Sequence, residues 1–280
     1  MSTVHKLLLR SQSLSLDSPV VMGILNTTPD SFSDGGQYTS VQQAVDAAGK
    51  MLEDGATIID IGGESTRPGS DPVSEQEELD RVMPVIEESV KNYTDALFSI
   101  DTTKYRVAEE ALKSGVHIVN DVSGLRKEPA FAELCAEYKA GYICMHSQGD
   151  PKSMQKNPQY DDVVNEIKRY LKARLVRLKQ AGVESVIIDP GFGFGKTLEH
   201  NLQIVRRLDE FSELEAPILA GASRKSMIGM ILDGRPSDER LSGTLAVHYH
   251  CLINGASILR VHDVREAVDT IQIFKAIRGS

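Results

Sequence analysis

Eight times between Val20 and Phe274 a short apolar run gives way to a stretch whose apolar residues recur three and four positions apart. The runs are Val20–Leu25, Thr57–Gly62, Leu97–Asp101, Ile118–Asn120, Tyr142–His146, Val186–Asp189, Ile218–Ala220 and Ile258–Val261. Runs this short and continuously apolar read as strands buried on both faces, and the helical spacing between them reads as covering helices. Eight such units in 280 residues, with no linker or compositional break, predict one domain over residues 1–280 with an α/β, (β/α)8 TIM-barrel fold. The competing architecture, a doubly wound open sheet, leaves two edge strands, and no run is more polar than the rest. Ahead of the repeat, Val4–Leu9 and Leu14–Leu16 predict a short N-terminal β-hairpin that plugs one barrel end. Ser74-x-x-Glu77 predicts a capping box at the start of the second helix.

Charge and cysteine usage narrow the function classes. A net charge of −9 argues against nucleic acid and against anionic membranes as partners. Three cysteines without metal-ligand spacing predict buried reduced thiols in a cytoplasmic protein. The N-terminal apolar stretch is too short for a signal peptide, and no segment is long enough to span a membrane. Small-molecule substrates remain.

In a barrel the active site lies at the C-terminal strand ends, so the tips are the place to look. The run Val186–Lys196 (VIIDPGFGFGK) ends its strand on Asp189, and Pro190 stops the ladder. Gly191, Gly193 and Gly195 then allow close backbone approach to something bulky. Neither nucleotide motif fits: a phosphate loop ending at Lys196-Thr197 needs glycine at Pro190, and a dinucleotide fingerprint from Gly191 needs glycine at Lys196. Every other tip is polar as well. Asp101, Asn120, Asp189 and Lys225 offer acceptors, an amide and a fixed cation, a set suited to a planar heterocycle with adjacent N–H donors. Asn26, Arg67, Arg260 and His262 form a second set suited to phosphate oxygens or a metal. Asp263-x-x-Glu266 predicts a capping pair for the last helix, whose free N–H groups suit an anion. Taken singly, His262 reads more often as a loop histidine than as a ligand, and Arg67 as a solvated loop charge. His146 reads as packing, and Lys196 and Arg224 as surface charges. Thr27–Tyr38 and Glu64–Pro72 are long polar loops whose apolar members are Phe32 and Pro68, and their composition suits segments that close over a site.

At this point the motifs resemble a known family. Met22–Gly36 (MGILNTTPDSFSDGG), Gly62–Gly69 (GGESTRPG), Ser99–Thr102, Asn120-Asp121, Asp189–Gly195, Ser223–Ser226 and Arg260–Asp263 are similar, in order, to the motifs of dihydropteroate synthases. Thr27 and Tyr105 depart from the usual valine and proline. The resemblance implies a folate-pathway transferase that joins 6-hydroxymethyl-7,8-dihydropterin diphosphate to 4-aminobenzoate, with Mg²⁺, by an SN1-like path. It implies that Asp101, Asn120, Asp189 and Lys225 hold the pterin between Met145 and Phe194. Thr66, Arg67, Asn26, Arg260 and His262 would surround the diphosphate, Asn26 as the direct Mg²⁺ ligand and Arg260 also over the pterin face. Phe32, Pro68 and Ser226 would border the aminobenzoate pocket. Arg67, Asp101, Arg260 and His262 are the expected catalytic residues, and a homodimer is the expected assembly. Two competing functions share the heterocycle-binding set: a methyltetrahydrofolate methyltransferase-like barrel, which has no need of a diphosphate pocket, and a pterin-binding paralogue without turnover.

Overall fold

A computed structural model describes residues 6–27, 36–65, 70–149 and 154–279. The chain opens with β1 (Lys6–Leu9) and β2 (Gln12–Ser15), followed by β3 (Val20–Asn26), α1 (Gly36–Glu53), β4 (Ile58–Gly62), α2 (Glu75–Asn92), β5 (Leu97–Asp101) and α3 (Tyr105–Lys113). It continues through β6 (Ile118–Asp121), α4 (Phe131–Tyr138), β7 (Gly141–Met145), α5 (Val163–Ala181), β8 (Val186–Asp189) and α6 (Leu198–Arg206). The last elements are β9 (Ile218–Ala220), α7 (Ser226–Ile231), α8 (Leu241–Ile253), β10 (Ala256–Val261) and α9 (Val264–Arg278). β3 to β10 pair in parallel and close into a barrel in the order β10-β3-β4-β5-β6-β7-β8-β9, as the alternation predicts. The eight-stranded sheet closes on itself and leaves none of its strands at an edge, which the doubly wound alternative requires.

Side chains alternate across each strand, so every barrel strand divides its residues between two cores. The outward set, which includes Val21, Ile59, Ile61, Phe98, Ile100, Val119, Cys144 and Leu259, packs with the helices. The inward set contributes one apolar side chain per strand: Met22, Ile58, Leu97, Ile118, Ile143, Ile187, Leu219 and Ile258. Leu7, Leu9 and Leu16 of the hairpin pack against this ring and close the N-terminal end, where each aliphatic burial stabilises by about 2 kcal/mol. The plug is also pinned by polar bonds. Leu8 N donates to Ser185 Oγ at 2.7 Å, and Arg10 Nη1 donates to Leu112 O at 2.6 Å.

Three local expectations change. Gly36 to Tyr38 belong to α1, so the polar loop after β3 is shorter than its composition suggests. Ser74 Oγ accepts from Glu77 N at 3.2 Å, but Glu77 pairs with Arg81 rather than completing the capping box. Ser226, expected in a long loop, opens the short helix α7.

Candidate active site

Moving two residues along each strand from the apolar ring reaches the open mouth, still on the inward face. From Ile58 this gives Asp60; from Leu97, Ser99 and then Asp101; from Ile118, Asn120; from Ile143, Met145; from Ile187, Asp189; and from Ile258, Arg260 and then His262. Asn26, Gly62, Asp101 and Asn120 are successive register partners across β3 to β6, and Met145 partners Asp189 across β7 and β8. Asn120, Met145, Asp189, Phe194, Lys225 and Arg260 line one pocket together with Val122, Phe192 and Gly221. Lys225 Nζ stands 4.2 Å above the Phe194 ring, a cation–π contact that fixes both walls. Met145 and Phe194 pack with Met154 into an apolar floor.

Polar bonds organise the mouth around Arg260. Its Nε donates to Asp60 Oδ2 at 2.6 Å and its Nη2 to Asp101 Oδ2 at 2.7 Å. Asn120 Nδ2 donates to the same Asp60 oxygen at 2.9 Å, which turns the amide carbonyl toward any ring donor. Asp60 Oδ1, Ser99 Oγ and Asp101 Oδ1 are buried without a partner among the described residues. Burial pushes the Asp101 carboxyl up to about 7, against the Arg260 guanidinium and with the help of Asp60 and Glu78. Burial also raises Asp189, opposed by the Gly191 N–H, which donates to Asp189 Oδ1 at 2.7 Å, and by Lys225, Arg260 and Lys196. Arg260 is held firmly charged, because the two carboxylates outweigh its own desolvation.

Other expected residues fall as follows. Arg260, placed with the anion set by its strand tip, is paired with Asp101 of the other set, since its fork is engaged by Asp60 and Asp101. His262 shares the mouth: Ser223 Oγ lies 3.0 Å from His262 Nδ1 and also accepts from His262 N at 3.2 Å. Asp263 does not cap α9; its carboxylate takes Arg224, with Arg224 Nε to Asp263 Oδ2 at 2.9 Å, so Arg224 is a structural pair and not a surface charge. Lys196 is not a surface charge either, being 3% exposed. Asn26 sits at the β3 tip, and Ser226 is exposed directly after Lys225. Thr27 Oγ1 donates to Gly62 O at 3.2 Å, so this departure from the family pattern ties β3 to β4. Phe32, Thr66, Arg67 and Pro68 lie outside the described residues.

Similarity to known proteins decides among the functions this mouth could serve. A family model described as "Pterin binding enzyme" matches residues 22–262. The dihydropteroate synthase of Escherichia coli K12 is 50% identical, over 97% of this chain and 96% of its own. The chain belongs to the dihydropteroate synthase family. It is accordingly a pterin-binding transferase on a TIM barrel. The Haemophilus influenzae dihydropteroate synthase is 47% identical over 97% of this chain and 98% of its own. The Yersinia pestis dihydropteroate synthase, solved with a sulfonamide drug complex, superposes with a TM-score of 0.92 at 46% identity, covering 99% of this chain and all of that one. A Xanthomonas albilineans dihydropteroate synthase in complex with 7,8-dihydropteroate superposes at 0.88 with 39% identity, covering 99% and 100%.

Asp60 is a residue that strand-tip reasoning misses, whereas Ser223 stands among the polar residues after the seventh run without an assigned role. Asp60 lies inside its run (TIIDIG), two positions before the tip, where tip reasoning does not look. The available signal was a carboxylate amid apolar neighbours, at the same parity as the inward Ile58.

Proposed function

We propose that this chain joins 6-hydroxymethyl-7,8-dihydropterin diphosphate to 4-aminobenzoate, forming 7,8-dihydropteroate and releasing diphosphate. The supporting observation is the single mouth in which Asp60, Asp101, Asn120, Asp189, Lys225 and Arg260 meet, with His262 at its rim. Asp189 and the Asn120 carbonyl accept adjacent N–H groups of the pterin, and Lys225 donates to a ring acceptor. Met145 and Phe194 cover its faces.

An aryl amine is a weak nucleophile, so the reading assigns bond breaking to the first step. The methylene C–O bond breaks and its electron pair leaves with the diphosphate oxygen. The Arg260 guanidinium, Arg67 and the His262 imidazole hold the developing anion. The dihydropterin ring spreads the positive charge, and the Asp101 carboxylate lies beside it. The amine lone pair then forms the C–N bond, and one N–H proton is lost.

Mg²⁺ belongs to this reading. Asn26 offers a side-chain oxygen at the β3 tip, with no hydrogen-bond partner among the described residues. No group of three or more His, Cys, Asp or Glu among the described residues forms a dedicated cage. A single protein oxygen plus substrate phosphates and waters is how Mg²⁺ is usually held, so the donor set fits. When bound, the ion neutralises charge on the leaving diphosphate.

The assay is direct. The purified chain with both substrates and Mg²⁺ should release diphosphate and dihydropteroate in equal amounts, and chelation should stop turnover. Pterin binding without product would overturn the reading.

A homodimer and a cytoplasmic location complete it. Met230, Ile231, Ile253, Ile273 and Ile277 expose apolar surface on α7, α8 and α9, which supports self-association. A monomeric mass by light scattering at working concentration would remove that part. Among the described residues no helix is long and apolar enough to cross a membrane.

A further inference from the structure

Lys196 is a lysine without a carboxylate partner in a buried position. Its Nζ donates to three backbone carbonyls: Gly191 O at 2.7 Å, Phe194 O at 3.0 Å and His146 O at 3.3 Å. Two of these belong to the loop after β8 and the third to the tip of β7. An ammonium has three N–H donors, and this arrangement uses one for each carbonyl; a neutral amine would leave one acceptor bare.

The loop is shaped to deliver those carbonyls. Gly191 has φ +71°, and a Cβ there would come within 2.0 Å of His146 O. Gly195 has φ +66°, and a Cβ there would meet Gln148 O at 2.3 Å. The glycines therefore bring the loop against the chain that follows β7, and not only against a ligand. Close packing turns carbonyl oxygens inward, and buried acceptors need donors. Lys196 supplies them from within the same loop.

What Lys196 holds is the ring pocket. Gly191, whose carbonyl it binds, donates its N–H to Asp189 Oδ1. Phe194, whose carbonyl it also binds, carries the ring beneath Lys225 Nζ. We propose that Lys196 is a positioning residue for pterin recognition: by binding Gly191, Phe194 and His146 at one point, it sets the Asp189 carboxylate and the Phe194–Lys225 wall. It reaches the ring only through these groups. Burial pushes its pKa down to about 7 and the Asp189 charge opposes this, so the carboxylate that Lys196 positions also helps keep it protonated.

The inference deepens the proposed function and rests on it. Lys196→Met keeps the length and removes the donors. It should weaken binding of the pterin diphosphate, read by calorimetry, by about 10–100-fold, the scale on which small misplacements act. The KM for 4-aminobenzoate at saturating pterin should stay within about twofold of wild type. Lys196→Ala should regain pterin binding with added propylammonium, which replaces the lost atoms, but not with tetramethylammonium, which has no N–H. If the methionine variant does not fold, Lys196→Arg takes its place, since it retains charge but cannot aim three bonds at one point.

Wild-type pterin affinity in a folded variant, equal losses for both substrates, or equal responses to the two amines would overturn the proposal. A wild-type chain that makes no dihydropteroate fails the proposed function instead, so the two failures are distinguishable.

Discussion

Arg260→Ala is expected to cut turnover by about 10²–10³-fold and to destabilise the fold as well. Its side chain is only 18% exposed and spans Asp60 and Asp101, whose side chains are 0% and 7% exposed. Removing it leaves two buried carboxylates facing each other without the guanidinium, a change that costs about 3 kcal/mol. For a chain this long that lowers Tm by about 5–10 °C.

The loss should depend on pH with a definite sign. Asp101 titrates at about 7 in the folded chain against 3.8 ordinarily, with burial as the main cause and Arg260 as the main opposing charge. Without Arg260 its folded pKa moves higher still. A carboxyl with a raised folded pKa binds more protons folded than unfolded, so its contribution is intact below about pH 4 and is lost as pH rises through about 7. The Asp101 part of the melting deficit of Arg260→Ala should therefore hold steady from about pH 5 to about pH 6 and widen as pH rises past about 7 to about 8. A deficit that narrows over that range would contradict the pairing.

Asp189→Ala should act mainly on pterin binding. Gly191 occupies Oδ1, which leaves the second oxygen of Asp189 in the pocket for ligand N–H groups. Losing two charge-assisted bonds of about 1.5 kcal/mol each weakens binding by about 3 kcal/mol, roughly 150-fold. Asp189→Asn should do no better, because its NH₂ would face the pterin donors. His262→Ala, by comparison, should lower turnover more than pterin affinity. Calorimetry and initial rates on the same preparations separate these outcomes. Equal loss of pterin binding in Asp189→Ala and His262→Ala would end the division between ring and anion sets.

The strand–helix alternation by itself determined the barrel, because eight buried parallel runs in one domain have few other ways to avoid exposed edges. It also determined which groups gather at the mouth, since Asp101, Asn120, Asp189, Arg260 and His262 all end strands or follow them directly. Even the inward face was present in the sequence, as positions two or four residues beyond Ile58, Leu97, Ile118, Ile187 and Ile258. Only the tertiary structure decided who pairs with whom. Asp60 becomes part of the site because closure of the barrel brings β4 within reach of Arg260 on β10, 200 residues away in sequence. Glu77 and Asp263, both at helix starts, pair with Arg81 and Arg224, guanidiniums that the folded chain brings within reach of them. Lys196 looks like a surface lysine until the glycine loop folds over it. Its burial follows from carbonyls arriving from two different strand ends, and no local pattern in the sequence encodes that convergence.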